Sequence, residues 1–500
     1  MTLNFAAVKE HFVNWREWEP NPIVVKELRQ AVRSWSVTGM LLLFLTVLFV
    51  TSLVFLVFHV FDSNEDLGLG GSMFSAFMFI LAGACSFFIP LYIGIRVSME
   101  RQDGNPDLLY VSTLSPARII RGKFLCAAYM ALLFFSACMP FMAFTNLLRG
   151  IDLPTILFIL FCLFLVVCAA SMIAIFLACL PASRPFKALL AIYGIFQSFG
   201  LIMPLMGLTF EFMHSGVGEM LFGRSFWCTV FTFICIDLAI IGLFYVLSVA
   251  LISPPSANRA WPVRIYLTAA WIIGGVIALG WVVRAGQDSR MLAWAWPTLM
   301  CMVVALLVTI SNHDQLSLRV QRTIPRSVVA RSLAFLFFNG AAGGLVWAAI
   351  ILFGTWLAII GVMAAFHGSS IAAGSQVHLF LALTAYTLDY SLLALWIHRR
   401  FLARRPPRLA GLLAIMLAAA WAITPSIVLF FVNKLTWKSL EGQQLGNPFN
   451  ALAFHDPAKL VEHQYFALAW LVFMLLLNAG WFGRQVARFR PPPLEAPPVI

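Results

Sequence analysis

Charge is scarce in this chain. Only 11% of its 500 residues are Asp, Glu, Lys or Arg, and acids are the rarer kind, 21 against 33 Lys and Arg. A water-soluble protein of this length must coat its outside with polar groups. A sequence that is 61% hydrophobic, with mean hydropathy +0.91, does not have enough of them. The nine cysteines, at 85, 126, 138, 162, 168, 179, 228, 235 and 301, form no Cys-x-x-Cys pair. Each falls in an apolar run and reads as a small hydrophobe, so neither disulfides nor a metal site are expected. The one Gly-Lys pair, Gly122–Lys123, has no Gly five residues before it and no Ser or Thr after it. That excludes a phosphate-cradling loop, so no cofactor is expected on the chain itself. His455, Asp456, Glu462 and His463 cluster near the C-terminal end, but without ligand spacing. No Ser/His/Asp arrangement is evident, and no enzymatic activity is expected. Nor is a cleavable signal, because the first apolar run starts near residue 37, behind a charged segment.

What the chain has instead is length of apolar run. Roughly 30 Å of hydrocarbon at about 1.5 Å per residue needs about 20 residues, and about twelve runs reach that length. They lie near 37–60, 73–97, 124–147, 154–180, 188–208 and 226–252, then 265–283, 291–310, 341–366, 377–397, 409–432 and 465–482. The expected fold is all-α, a polytopic transmembrane helical bundle, with spans three and nine extending as helix beyond the membrane. The net charge of +12 would suit nucleic acid. Most of the Lys and Arg, however, fall in the termini and alternate loops, the positive-inside pattern that places both termini in the cytoplasm. No nucleic-acid partner is therefore expected. The first outer loop, 62–71, is acidic and has no Lys or Arg.

Loop lengths suggest an internal repeat. The longest cytoplasmic loops, 98–123 and 311–333, follow the second span of each half. The longest outer loops, 209–225 and 433–464, follow the fifth. Two parallel six-span halves would give this pattern. The expected organisation is a cytoplasmic segment 1–36 with an interfacial helix, a six-span unit 37–252, a linker 253–264, a second six-span unit 265–482 and a Pro-rich tail 483–500. Asp456 and Pro457 read as the start of the last helix.

Two stretches carry the functional argument. In 21–35, NPIVVKELRQAVRSW, Asn21 can cap a helix and Pro22 can fill its first position. Val24, Val25, Leu28, Val32 and Trp35 then share one face, and Lys26, Arg29 and Arg33 another. Such a helix lies in the membrane interface. In 98–124, SMERQDGNPDLLYVSTLSPARIIRGKF, Asn105–Pro106–Asp107 starts a short helix displaying Leu108, Leu109 and Val111. Ser115–Pro116 then starts span three, with Arg118, Arg121 and Lys123 at its base. A short, partly apolar helix projecting from a membrane loop suits docking into a groove on a soluble partner.

Together, NPI-x-x-KELRQ and E-R-Q-D-G…D-L-L…S-T-L-S-P-x-R-I-I-x-G-K resemble the permease subunits of type-2 ABC transporters over about residues 20–252. The resemblance implies an amphipathic connecting helix that includes Pro22, Lys26, Glu27, Leu28 and Arg29. It also implies a loop coupling the permease to an ATPase, with Glu100, Gly104, Leu108, Leu109, Ser115, Pro116 and Lys123 on the family's pattern. The family's usual Gly-Thr step is replaced here by Gly104-Asn105-Pro106. The implied function is the membrane subunit of an ATP-driven exporter in the cell inner membrane, alternating access between its six-span halves. The implied partners are cytoplasmic ABC ATPase subunits, which would bind ATP and Mg, and the lipid bilayer, with a second permease chain as a further candidate. The basic loop 311–333 reads either as a degenerate second coupling loop or as a contact for anionic lipid.

Within the spans, Asp237 and Asp389 are the acids. An acid there is costly unless it meets a partner or a cavity, so both are candidates for transport or proton handling, or for helix packing. Asn339, Asn478 and Gln197 read as interhelical hydrogen-bond partners, and Gly340 and Gly344 as a close-packing pair. Two other functions remain open from the residues. Twelve spans in two halves also fit an ion-coupled secondary transporter, although the expected G-x-x-x-D-R/K-x-x-R/K loop is absent. A non-transporting scaffold is the third reading.

Overall fold

The computed structural model describes residues 22–61, 69–103, 115–148, 151–181, 223–254, 256–285, 289–312, 316–366, 371–432, 444–453 and 456–492, with isolated positions between 192 and 207. Among the described residues every regular element is a helix. Among those residues, 11 helices are long and apolar enough to cross a membrane, so the chain is a multi-pass membrane protein of all-α class. The fifth expected span, 188–208, lies almost wholly outside the described residues. The chain divides into two compact units, Met1–Pro254 and Pro255–Ile500.

The first unit opens with α1 (Pro22–Val32), followed after a two-residue break by α2 (Trp35–Phe61). The second span is α3 (Leu69–Gly83), a widened π turn (Ala84–Phe88) and α4 (Ile89–Asp103). Pro90 explains the wide turn: it has no N–H to donate, and its ring crowds the carbonyl four residues back. Next come α5 (Pro116–Leu147), α6 (Leu153–Cys179) and α7 (Arg224–Ile252). The starts of α5 and α6 are set locally. Ser115 caps α5 by accepting from the Arg118 N–H. Asp152 caps α6, accepting from the Thr155 N–H at 3.3 Å and its hydroxyl at 2.6 Å.

Lipid tails are as apolar as leucine, so these helices are held by close packing rather than by exclusion from water. Phe44, Phe74, Phe77 and Phe134 are fully buried, and the rings of Phe44 and Phe134 meet at 5.4 Å. The α6 helix is the centre of the unit, packing on α4, α5 and α7.

The second unit contains α8 (Ala260–Ala285), α9 (Ser289–Ile310), the short α10 (Leu318–Gln321), α11 (Val328–Phe337), α12 (Ala341–Phe366), α13 (Ile371–Phe401), α14 (Arg408–Val432), the short α15 (Pro448–Ala453) and α16 (Pro457–Arg488). Asp456 caps α16 through the Ala458 N–H, with Pro457 in its first turn. Here α13 is the central helix, packed on α9, α12, α14, α15 and α16.

The expectation that span nine continues as helix is corrected. The helix stops at Phe337, Phe338 is extended, Gly340 takes φ +140°, and a new helix starts at Ala341. A positive φ is cheap only for glycine, so Gly340 is where the chain can break. Gly344, one turn on, lies where a side chain would overlap Thr309 and Arg264, so this pair serves both a break and a close approach.

With the expected run 188–208 kept as the fifth position of the first unit, the described helices of the two units share a packing order. In each, the first span touches the second and third, the second touches the third and fourth, the third touches the fourth, and the fourth touches the sixth.

Candidate functional site

One cluster gathers the residues of both motif stretches. On α1, Val24, Glu27 and Ala31 are buried and Leu28 is half-buried against the core, while Val25, Lys26, Arg29 and Val32 are exposed. The helix therefore does not present all its apolar residues to lipid. Val24 and Leu28 face protein, and Val25, Val32 and Trp35 remain outward. α1 packs on the base of α5. There, Arg118 and Arg121 are exposed but Lys123 turns inward.

Lys123 Nζ donates to Glu27 Oε1 at 3.1 Å and to Glu100 Oε2 at 2.6 Å. Lys26 reaches the other oxygen of Glu100 at 3.6 Å. Beside this, Arg96 Nη2 donates to Gln30 Oε1 at 2.5 Å, and its guanidinium stacks over Tyr92. Two lysines and two glutamates thus balance in charge. The Lys123 and Glu27 side chains are only 8% and 5% exposed, so each needs the other: a buried charge left alone is costly. Lys26 is 58% exposed and its pairing is screened by water.

Chemically this cluster is a clasp. It joins α1, the last turn of α4 and the first turns of α5. Asp103 ends α4 and Ser115 caps α5, the described residues on either side of 104–114, and Glu100–Lys123 closes the two helices just behind those ends. Gly104, Leu108 and Leu109 lie outside the described residues. Pro22 is the first residue of α1, and Pro116 the first of α5. Lys26, Glu27, Glu100 and Lys123 were separate matches in the sequence; the fold brings all four together. The sequence reasoning missed the burial of Glu27 and the Gln30–Arg96 bond. Their signal was an acid and an amide within an otherwise basic and apolar helix.

The second unit holds two other polar centres. Arg264, 3% exposed in the first turns of α8, donates through Nη1 to the Leu336 and Phe338 carbonyls at 2.8 and 2.7 Å, and through Nη2 to Gly340 at 3.1 Å. These carbonyls end α11, where the helix dipole favours a cation. Asn339 ties the same break to the start of α8, accepting from the Ala260 N–H at 2.8 Å. Further along, Arg399 bonds Asn478 and stacks over Trp481 at 4.4 Å.

The other centre involves the stretch 444–453, expected to be external loop. Tyr390 donates to the Gly446 carbonyl at 2.6 Å, Tyr386 accepts from the Gly446 N–H at 3.1 Å, and Trp421 donates to the Leu445 carbonyl at 3.1 Å. At about 1.5 Å per residue, Tyr390 stands roughly 16 Å from the Phe401 end of α13 and Trp421 roughly 20 Å from the Arg408 end of α14. The 444–447 backbone therefore dips well into the length of the spans. Non-helical backbone is tolerated there because protein satisfies it. His463, expected outside, is fully buried, with Nδ1 2.9 Å from the Tyr386 hydroxyl.

Asp237 on α7 and Asp389 on α13 are both buried and lie in different units. Neither oxygen of Asp389 has a hydrogen-bond partner among the described residues, nor does Asp237 Oδ2. Among those residues, no group of His, Cys, Asp and Glu could hold a metal ion.

Comparison with protein-family models, with curated proteins and with solved structures finds no match to this chain.

Proposed function

We propose that the chain is the membrane subunit of an ATP-driven transporter of the type-2 ABC kind, an exporter of the bacterial inner membrane whose energy comes from a separate cytoplasmic ATPase. The observation that carries this reading is the Lys123 clasp. A push on loop 104–114 would reach α4 and α5 through its two stems and α1 through Glu27, so one docking event would move three elements together. Packed helices respond to such a push by shifting between discrete arrangements. The sequence resemblance supplies the identity of the pushing partner. The loop's Leu108 and Leu109 would enter a groove on the ATPase.

The test is affinity purification of the chain from its native membrane with identification of any co-purifying ATPase, followed by ATPase assay in nanodiscs. Leu108→Asp together with Leu109→Asp is expected to abolish the complex while leaving the permease folded. Recovery of an intact complex from that variant, or a native complex lacking any ATPase, overturns the reading. One observation favours an ion-coupled secondary transporter instead: Asp389, fully buried with neither oxygen bonded among the described residues. Uptake that follows an ion gradient without ATP would select it.

A further inference from the structure

The segment 316–338 of the second unit forms a surface that the clasp does not explain. It holds Arg319, Arg322, Arg326 and Arg331 and contains no Asp or Glu. Arg319, Arg322 and Arg326 are exposed. On α11, Val328, Val329 and Leu333 share one face and are 67%, 75% and 57% exposed, although all three are large and apolar. Ala334 on the opposite face is buried. On the short α10, Leu318 is exposed beside Arg319. The open side of the helix is thus apolar apart from Ser332, with Arg326 just before the helix and Arg331 on it.

Its position is fixed by packing. Phe337 and Phe338 meet Trp261, in the first turn of α8, edge-on at 6.1 and 5.7 Å. Phe335 and Phe338 meet Phe489, at the end of α16, edge-on as well. Ala341, the start of α12, is three residues beyond the Phe338 end of this aromatic group. The C-terminal end of α11 is therefore level with the ends of three membrane helices, where aromatic belts mark the boundary between hydrocarbon and head groups. Arg264 holds that end by its three carbonyls, so the helix cannot simply turn its apolar face inward.

We propose that 316–338 is a binding surface for anionic phospholipid, with Val328, Val329 and Leu333 entering the head-group boundary and the four arginines meeting lipid phosphates. Charge complementarity and depth both favour this occupant. A leaflet supplies apolar and anionic groups side by side at this level, and each Arg near an anionic surface adds to its attraction. A groove on a soluble protein would meet the apolar face only if it reached down to the hydrocarbon edge. The inference is independent of the ABC reading. It assigns this segment to the bilayer whether or not an ATPase drives the first unit.

The test uses the full chain in nanodiscs, with Val329→Cys or Leu333→Cys as reporter and a polar, membrane-impermeant maleimide as probe. None of the native cysteines is exposed, which keeps the background low. In discs containing phosphatidylglycerol, labelling is expected to be about tenfold slower than in phosphatidylcholine discs, and fast in detergent. Replacing Arg319 and Arg326 by Gln, both at exposed positions, is expected to erase most of the difference between the two lipids. Equal labelling rates in both kinds of disc overturn the proposal. So does protection that appears only when an ATPase is added, since that assigns the surface to protein.

Discussion

The two units bury polar groups in different chemical forms. The first keeps an ionic clasp, Lys123 between Glu27 and Glu100, at its Arg- and Lys-rich end. The second has no acid in the equivalent role among its described residues. Its Arg264 is satisfied by carbonyls, and deeper in the unit Tyr386, Tyr390 and His463 hold a dipping backbone with neutral hydrogen bonds. The difference teaches what each end can do. An ion pair binds groups from separate elements yet can be undone by moving one of them, at a large cost. A web of neutral bonds to backbone fixes one geometry and has no alternative partner. A switch belongs on the first and a scaffold on the second.

That contrast breaks most sharply at Lys123. Lys123→Met leaves Glu27 buried without its partner, and a loss of about 3–5 kcal/mol is expected, read as a drop in the unfolding temperature of the purified protein. Adding Glu27→Gln and Glu100→Gln should recover most of it, because an all-neutral cluster has no stranded charge. Without recovery, the cluster acts through packing and not through charge. In the second unit, Tyr386→Phe removes the bond to the Gly446 N–H and the contact with His463. A smaller loss of about 1–2 kcal/mol is expected, with faster labelling of a cysteine placed at Leu445. An effect as large as that of Lys123 would erase the distinction between the units. Lys26→Ala sits at the bottom of the scale. Its exposed pairing with Glu100 is worth about 0–1 kcal/mol and should fade with added salt.

Much of the architecture could be read locally. Ser115 and Asp456 sit at helix starts because an oxygen on a short side chain can bond the first free N–H groups, which needs no distant neighbour. The spans follow from run length alone. The clasp was half legible: Glu100 and Lys123 stood out as matches, but nothing in the spacing said that Glu27 meets Lys123 across 96 positions. Arg264 and the 444–453 stretch were not legible. A lone Arg at the edge of an apolar run reads as a topology marker, and a polar stretch between spans reads as a loop, until the neighbours that satisfy them are known.

By itself, then, the chain determined that it must live in a bilayer and where most of its helices begin, because apolar length and capping are local properties. Tertiary structure alone decided which of the basic residues turn inward. Only packing can supply the carboxylates of Glu27 and Glu100 to Lys123, or three carbonyls to Arg264, and without those partners burial of either cation would be too costly.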